Sequence, residues 1–244
     1  MNGLIILALA PVLIIALYIY FRDKYEKEPL SILLLALLSG AFITIPVIFA
    51  EKIFSFIGPK TPGFAESAWH AFMVASLCEE GFKLAALFLL MWKSKEFNEK
   101  FDGIVYSCFI SLGFAGVENV LYVLQSGFST GIARAITAVP AHALFGITMG
   151  YFFAFAKFYP KKRTGYLWLS FIVPFILHGF YDFILMSGIN YLLLIFIPFI
   201  IYMWISGFNR MKTLNLTSIY RNDLDIGIDF SKVNELKKEK TDMS

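Results

Sequence analysis

Residues 68–92 read AWHAFMVASLCEEGFKLAALFLLMW, an apolar run long enough to cross a bilayer with Glu79, Glu80 and Lys83 at its centre. A charge at that depth is costly, which makes an ionisable group inside a span a candidate functional residue by default. Two adjacent carboxylates in a dry site cannot both stay ionised cheaply unless a cation compensates them. Lys83 lies four positions after Glu79 and three after Glu80, so on a helix it reaches either. The bland alternative is a buried ion cluster that only fixes helix packing. Chemistry is favoured because perturbed carboxylates collect at functional sites.

The rest of the chain supports a membrane reading. Of 244 residues, 58% are hydrophobic and 16% charged, well below the charge of a soluble domain. Mean hydropathy is +0.69. The 27 Phe, 12 Tyr and 4 Trp suit lipid contact and interfacial belts. A net charge of +3 gives no reason to expect nucleic acid as a partner, because the basic residues sit at the ends of apolar runs. Cys78 and Cys108 form no CxxC motif and no disulfide framework, so they are expected to pack.

Seven spans are predicted, at 2–21, 30–50, 68–92, 103–124, 134–157, 166–186 and 191–206, making an all-α transmembrane bundle. The first run lacks the positive n-region and cleavage site of a signal peptide and is read as a span. Loops after the odd spans one, three and five carry three, three and four Lys/Arg; those after two, four and six carry two, one and none. Residues 207–244 carry seven and read as a polar tail. The positive-inside rule then puts the C-terminus in the cytoplasm and the N-terminus outside. The chain divides into a membrane domain, 1–206, with its motif-bearing core at 68–186, and a cytoplasmic tail, 207–244.

Five more ionisable residues sit within the spans: Glu118, His142, His178 and Asp182, with Arg134 at the start of span five. At about 1.5 Å of rise per residue, all fall between the outer surface and the midplane, as do Glu79 and Glu80. One outward-opening polar chamber accounts for that coincidence. His178 and Asp182 are one turn apart, so the carboxylate can hold one ring nitrogen and leave the other to face a metal or substrate. Glu118 needs a proton, a cation or a metal. Asn119 reads as helix glue, and Gly113, Gly116, Gly146 and Gly150 allow close helix contacts. His70 is expected at the interface.

These residues fall into four elements: EExxK (Glu79 to Lys83), FxxxE (Phe114 to Glu118), HxxxG (His142 to Gly146) and HxxxD (His178 to Asp182). Intact, in order and on four successive spans, they resemble the PrsW family of bacterial intramembrane proteases, distant relatives of the CAAX prenyl proteases and the Abi group. The resemblance implies a multi-pass plasma-membrane endopeptidase. Its expected partner is a single-span membrane protein such as an anti-sigma factor, cut on its outer side to activate an envelope-stress sigma factor. CAAX relatives carry Phe-x-x-x-His where Glu118 stands and Asn where Asp182 stands, so CAAX-like processing of another membrane substrate is the weaker reading. A proton-coupled transporter is a third, but the paired repeats of many transporters are missing.

The expected site is Glu79, Glu80, Lys83, Glu118, His142, His178 and Asp182. Two schemes stay open. In one, Glu118, His142 and His178 bind Zn²⁺, a glutamate of the pair acts as general base, Asp182 orients His178 and Lys83 holds the other glutamate. In the other no metal is present; a glutamate activates water, and His178 with Asp182 stabilises the oxyanion. Ser76 and Cys78 lie near the carboxylates, but neither is visibly paired with a base.

Overall fold

Runs of Leu, Ile, Phe and Ala with few charges satisfy their backbone only by coiling, because lipid offers no hydrogen-bonding partner. The computed structural model, which describes residues 2–220, is accordingly helical, with no strand among the described residues. The helices are α1 (Asn2–Arg22), α2 (Leu30–Ile57), α3 (Phe64–Trp69), α4 (Leu77–Met91), α5 (Lys100–Ile136), α6 (Ala138–Phe158), α7 (Arg163–Met186) and α8 (Leu192–Leu216). A π-helical segment, His70–Ser76, joins α3 to α4, and a 3₁₀ turn, Pro160–Lys162, precedes α7.

Among the described residues, five helical stretches are long and apolar enough to cross a membrane: Gly3–Arg22, Leu30–Ile57, Lys100–Phe158, Pro160–Met186 and Leu192–Leu216. The sequence expectation was seven. Two of its spans, 103–124 and 134–157, fall within the single stretch Lys100–Phe158. A third, 68–92, is divided among α3, the π segment and α4, with three charges near its middle. Large side chains such as Phe42 (70% exposed) and Leu89 (81% exposed) point outward, which suits lipid rather than water.

The centre of the bundle is the α5–α6 pair. Every residue from 101 to 116 and from 138 to 150 is buried. Glycines set the close approach. A Cβ on Gly150 would lie 2.1 Å from the Gly103 carbonyl oxygen, and one on Gly146 would lie 2.8 Å from Ser111 Oγ. On the other side of α5, a Cβ on Gly113 would lie 1.9 Å from the Leu37 carbonyl of α2. Gly116 is looser, its nearest neighbour being Leu9 at 3.6 Å.

Three boundaries differ from expectation. α2 runs seven residues past the predicted end of span two, to Ile57, and so takes in Glu51. α8 runs past 206 to Leu216, so the start of the expected tail continues the last helix; the tail residues from 221 onward lie outside the described residues. The loop predicted at 125–133 is helical on both sides of Gly127, whose φ of 82° is open to glycine and strained for other residues. Fifteen residues of straight helix would part Asn119 from Arg134 by about 22 Å. Their side chains meet at 3.0 Å, so the chain doubles back at Gly127.

Candidate metal and active site

The EExxK element begins where the π segment ends. A π turn adds a residue to the helical repeat and rotates the helix beyond it, a distortion common at functional sites. The segment is pinned to α7 at two points. Phe72 fills the space a Cβ on Gly179 would need, its nearest ring atom only 2.2 Å from that position, and the Ser76 hydroxyl donates to the Phe175 carbonyl at 2.6 Å. Ser76 is thereby used as a structural donor. With those contacts made, Glu80 faces His178 across the α4–α7 boundary.

All seven expected residues join one network. Lys83 Nζ lies 3.0 Å from Glu79 Oε2, 2.8 Å from Glu80 Oε1 and 3.2 Å from His142 Nδ1, with the Phe114 ring 4.4 Å away. His142 Nε2 meets Glu118 Oε2 at 2.9 Å. His178 Nδ1 meets Glu80 Oε1 at 3.0 Å and its Nε2 meets Asp182 Oδ2 at 3.2 Å. The two imidazoles stand 5.3 Å apart at 86°, and Phe145 stacks on His178 at 4.8 Å. Glu79, Glu80, Lys83, His142 and His178 are all buried, whereas the Glu118 and Asp182 side chains keep 21% and 22% exposure. The buried five form the floor of the site, and Glu118 and Asp182 stand at its mouth.

The two histidines are held alike. Each turns Nδ1 toward the glutamate pair, and each has Nε2 on an outer carboxylate, Glu118 for His142 and Asp182 for His178. The Lys83 ammonium can only donate, so His142 Nδ1 accepts and its N–H is on Nε2, toward Glu118. That tautomer leaves a lone pair aimed into the cluster. The sequence supplied this relation for Asp182, but His142 has no acidic residue one turn away on its own helix, and its partner comes from α5.

Ligand atoms of Glu79, Glu80, His142 and His178 all lie within 4.8 Å of one another, and Glu80 Oε2 is buried without a hydrogen-bond partner. Two imidazoles and two carboxylates are an ordinary donor set for Zn²⁺. The residues therefore fit a divalent metal. Such an ion supplies Lewis acidity and lowers the pKa of bound water. The ligand set differs from the expected Glu118, His142 and His178: the glutamate pair faces the cluster, while Glu118 is engaged on the far side of His142 by Arg134, at 2.8 Å.

Sequence reasoning missed two residues. Arg134 is expected at the start of span five without a role; it pairs with Glu118 and donates through Nε to Asn119, whose amide in turn donates to the Ala8 carbonyl of α1 at 2.8 Å. Asn119 is thus helix glue, as expected, and it also steadies Arg134. Glu51 falls just past the expected end of span two. The charges acting on it are Glu79, Glu118, His178 and Lys83, so it belongs to the same site. The pattern Glu51 with Val47, one helical turn apart on a continuous apolar helix, was the available signal. In all, five carboxylates (Glu51, Glu79, Glu80, Glu118 and Asp182) face two permanent cations, Lys83 and Arg134.

Comparison with known proteins agrees with the geometry. Residues 28–205 match the family model described as PrsW family intramembrane metalloprotease. A protein named Protease PrsW from Geobacillus kaustophilus is 43% identical over 187 residues, covering 77% of this chain and 81% of that protein. Proteins of the same name from Clostridioides difficile and Bacillus subtilis are 37% and 33% identical, covering 86% and 87% of this chain and 90% and 95% of theirs. No solved structure matches the chain. Buried acid–histidine cluster, helical membrane bundle and family match coincide: the chain belongs to the PrsW family of intramembrane metalloproteases, multi-pass peptidases of the bacterial plasma membrane.

Proposed function

We propose that this protein makes the first, outer-side cut in a single-span membrane protein, and that the substrate is an anti-sigma factor whose cleavage activates an envelope-stress sigma factor. The observation that carries this reading is the union of seven motif residues from four helices into one network around a ligand-competent core. In this reading the chain crosses the membrane seven times, with its N-terminus outside, because Lys/Arg alternate between the loops. The membrane domain comprises α1 to α8, through Leu216, and the remaining residues form a cytoplasmic tail.

The roles follow from position. One glutamate of the Glu79/Glu80 pair takes a proton from the attacking water, within the reach that general-base catalysis demands. Lys83 fixes both carboxylates and holds down the charge of the buried pair. Glu118 and Asp182 set the tautomer and orientation of His142 and His178. A zinc ion would be held by His142, His178 and the glutamate of the pair that does not act as base, and would supply Lewis acidity there.

Glu79→Gln and Glu80→Gln should each nearly abolish cleavage while the protein still accumulates in membranes. The decisive measurement compares the membrane-protein N-termini of cells carrying wild type and Glu79→Gln. A wild-type-dependent cut on the outer side of a single-span protein is expected; identical N-termini in both would refute the reading. Elemental analysis of protein purified without nickel affinity should find zinc in wild type and none in the His142→Ala, His178→Ala form.

A further inference from the structure

Glu51 is a carboxylate inside an apolar helix with no side-chain partner of its own among the described residues. It lies six residues from the end of α2, about 9 Å into the helix. It is half-buried, and it makes no hydrogen bond or ion pair among the described residues. The other four acids of the site are engaged: Glu79 and Glu80 by Lys83, Glu118 by Arg134 and His142, and Asp182 by His178. An ionisable side chain in a span is expensive to place there, and such residues mark a path or a site.

Its direction is set by packing. Val47, one turn earlier on α2, packs against Cys78 and Phe114. Cys78 directly precedes Glu79 on α4, and Phe114 lies one turn before Glu118 on α5. Residues four apart share a helix face, so Glu51 stands beside Val47 on the face turned to the site. The charges bearing on it are Glu79, Glu118, His178 and Lys83, drawn from α4, α5 and α7.

No cation of this chain is free to reach it among the described residues. Lys83 is buried between Glu79, Glu80 and His142. Arg134 is shared between Glu118 and Asn119. Lys52 leans over Phe49, 5.9 Å from its ring centre, and Lys60 donates to the Ser55 carbonyl at 2.7 Å. Glu51 also lies outside the group able to hold a metal.

We propose that Glu51 is a specificity-determining residue: it receives a lysine or arginine side chain of the substrate, close to the bond that is cut. The proposal rests on the peptidase reading of this site. A single-span substrate with a basic residue at the outer end of its apolar segment presents that side chain on the side of the membrane where α2 ends. Docking it against Glu51 neutralises both charges and fixes the register of the chain across the glutamate pair. The acceptor is an oxygen with no competing donor, which makes a charge-assisted contact strong.

The test measures binding, so that it does not depend on turnover. Full-length Glu79→Gln protein in phosphatidylcholine nanodiscs is titrated with three fluorescent single-span peptides, identical except for lysine, methionine or glutamate at one end of the apolar segment. The lysine peptide should bind about tenfold or more tightly than the methionine peptide. Adding Glu51→Gln should erase that ratio, Glu51→Asp should keep most of it, and Glu51→Lys should reverse it in favour of a glutamate peptide. An unchanged lysine-to-methionine ratio in properly folded Glu51→Gln protein overturns the proposal. A protein that shows the Glu51-dependent preference but whose wild-type form never cuts would uphold Glu51 and refute the peptidase reading instead.

Discussion

Removing the Lys83 ammonium should destabilise the site more than any other single change in α4. Lys83 has no exposure and pairs with Glu79 at 3.0 Å and Glu80 at 2.8 Å. At an effective dielectric constant of about 20, each pair represents about 5–6 kcal/mol of Coulomb attraction. Desolvation of the ammonium and of the two carboxylates cancels much of that sum. The net penalty for deleting one partner of a buried ion cluster is about 3–5 kcal/mol, since the remaining charges stay uncompensated. Lys83→Met keeps the side-chain volume and the contact with Phe114 while removing the charge. Thermal unfolding in detergent with a chelator present should show the melting temperature falling by roughly 10 °C. Adding Glu80→Gln to Lys83→Met should recover about half of the loss, because one of the two stranded charges is gone. Excess zinc should raise the melting temperature of Lys83→Met more than that of wild type, because a dication held by the same glutamates takes over the missing countercharge. If Lys83→Met melts within one or two degrees of wild type under chelation, the ammonium is not what neutralises the pair, and the electrostatic account of the site fails.

Two further outcomes are expected in other parts of the molecule. Gly113→Ala should cripple accumulation, since its Cβ would sit 1.9 Å from a backbone carbonyl of α2, whereas Gly116→Ala should be tolerated, its Cβ meeting only Leu9 at 3.6 Å and Val12 just beyond; equal melting temperatures for the pair would refute the α2–α5 contact. In the α1–α2 loop, burial pushes Asp23 and Glu28 up to about 7, Glu99 adding to the effect on Asp23. A carboxyl whose folded pKa lies above its unfolded value holds its proton better in the folded state, so stability falls as pH rises from about 4 to about 7 and is level above that. Asp23→Asn, Glu28→Gln protein should therefore lose less stability than wild type between pH 5 and 8; parallel melting curves would count against buried, protonated acids in that loop.

Much of the site was legible because its chemistry is local. EExxK places a cation within one turn of two acids, and HxxxD places an acid one turn from an imidazole, whatever the rest of the chain does. Both pairs occur in the structure as ion pairs of 3.2 Å or less. The contacts that joined these units were not legible. Glu118 is 24 residues from His142, and whether it faces a metal or the far side of that ring depends on how α5 crosses α6. Glu51 was lost to a boundary error of a few residues, which turned a half-buried acid into a loop charge, while Arg134, expected at the start of span five, finds its partner Glu118 only through the turn at Gly127. Within the expected span 68–92, hydropathy gave no sign of the π-helical segment His70–Ser76, which Phe72 and Ser76 pin to α7.

Composition and the run of apolar segments were enough to make this chain a helical membrane protein, because lipid leaves the backbone no alternative to helix. The four motifs were enough to name the acids, bases and imidazoles that matter. Only the tertiary structure decided how they are used: that Lys83 serves both glutamates, that Glu118 stands behind His142 as Asp182 stands behind His178, and that the chain turns back at Gly127 to bring Arg134 to the mouth. Those relations lie between helices, where crossing geometry and glycine contacts set the distances, and no periodicity along a single helix encodes them.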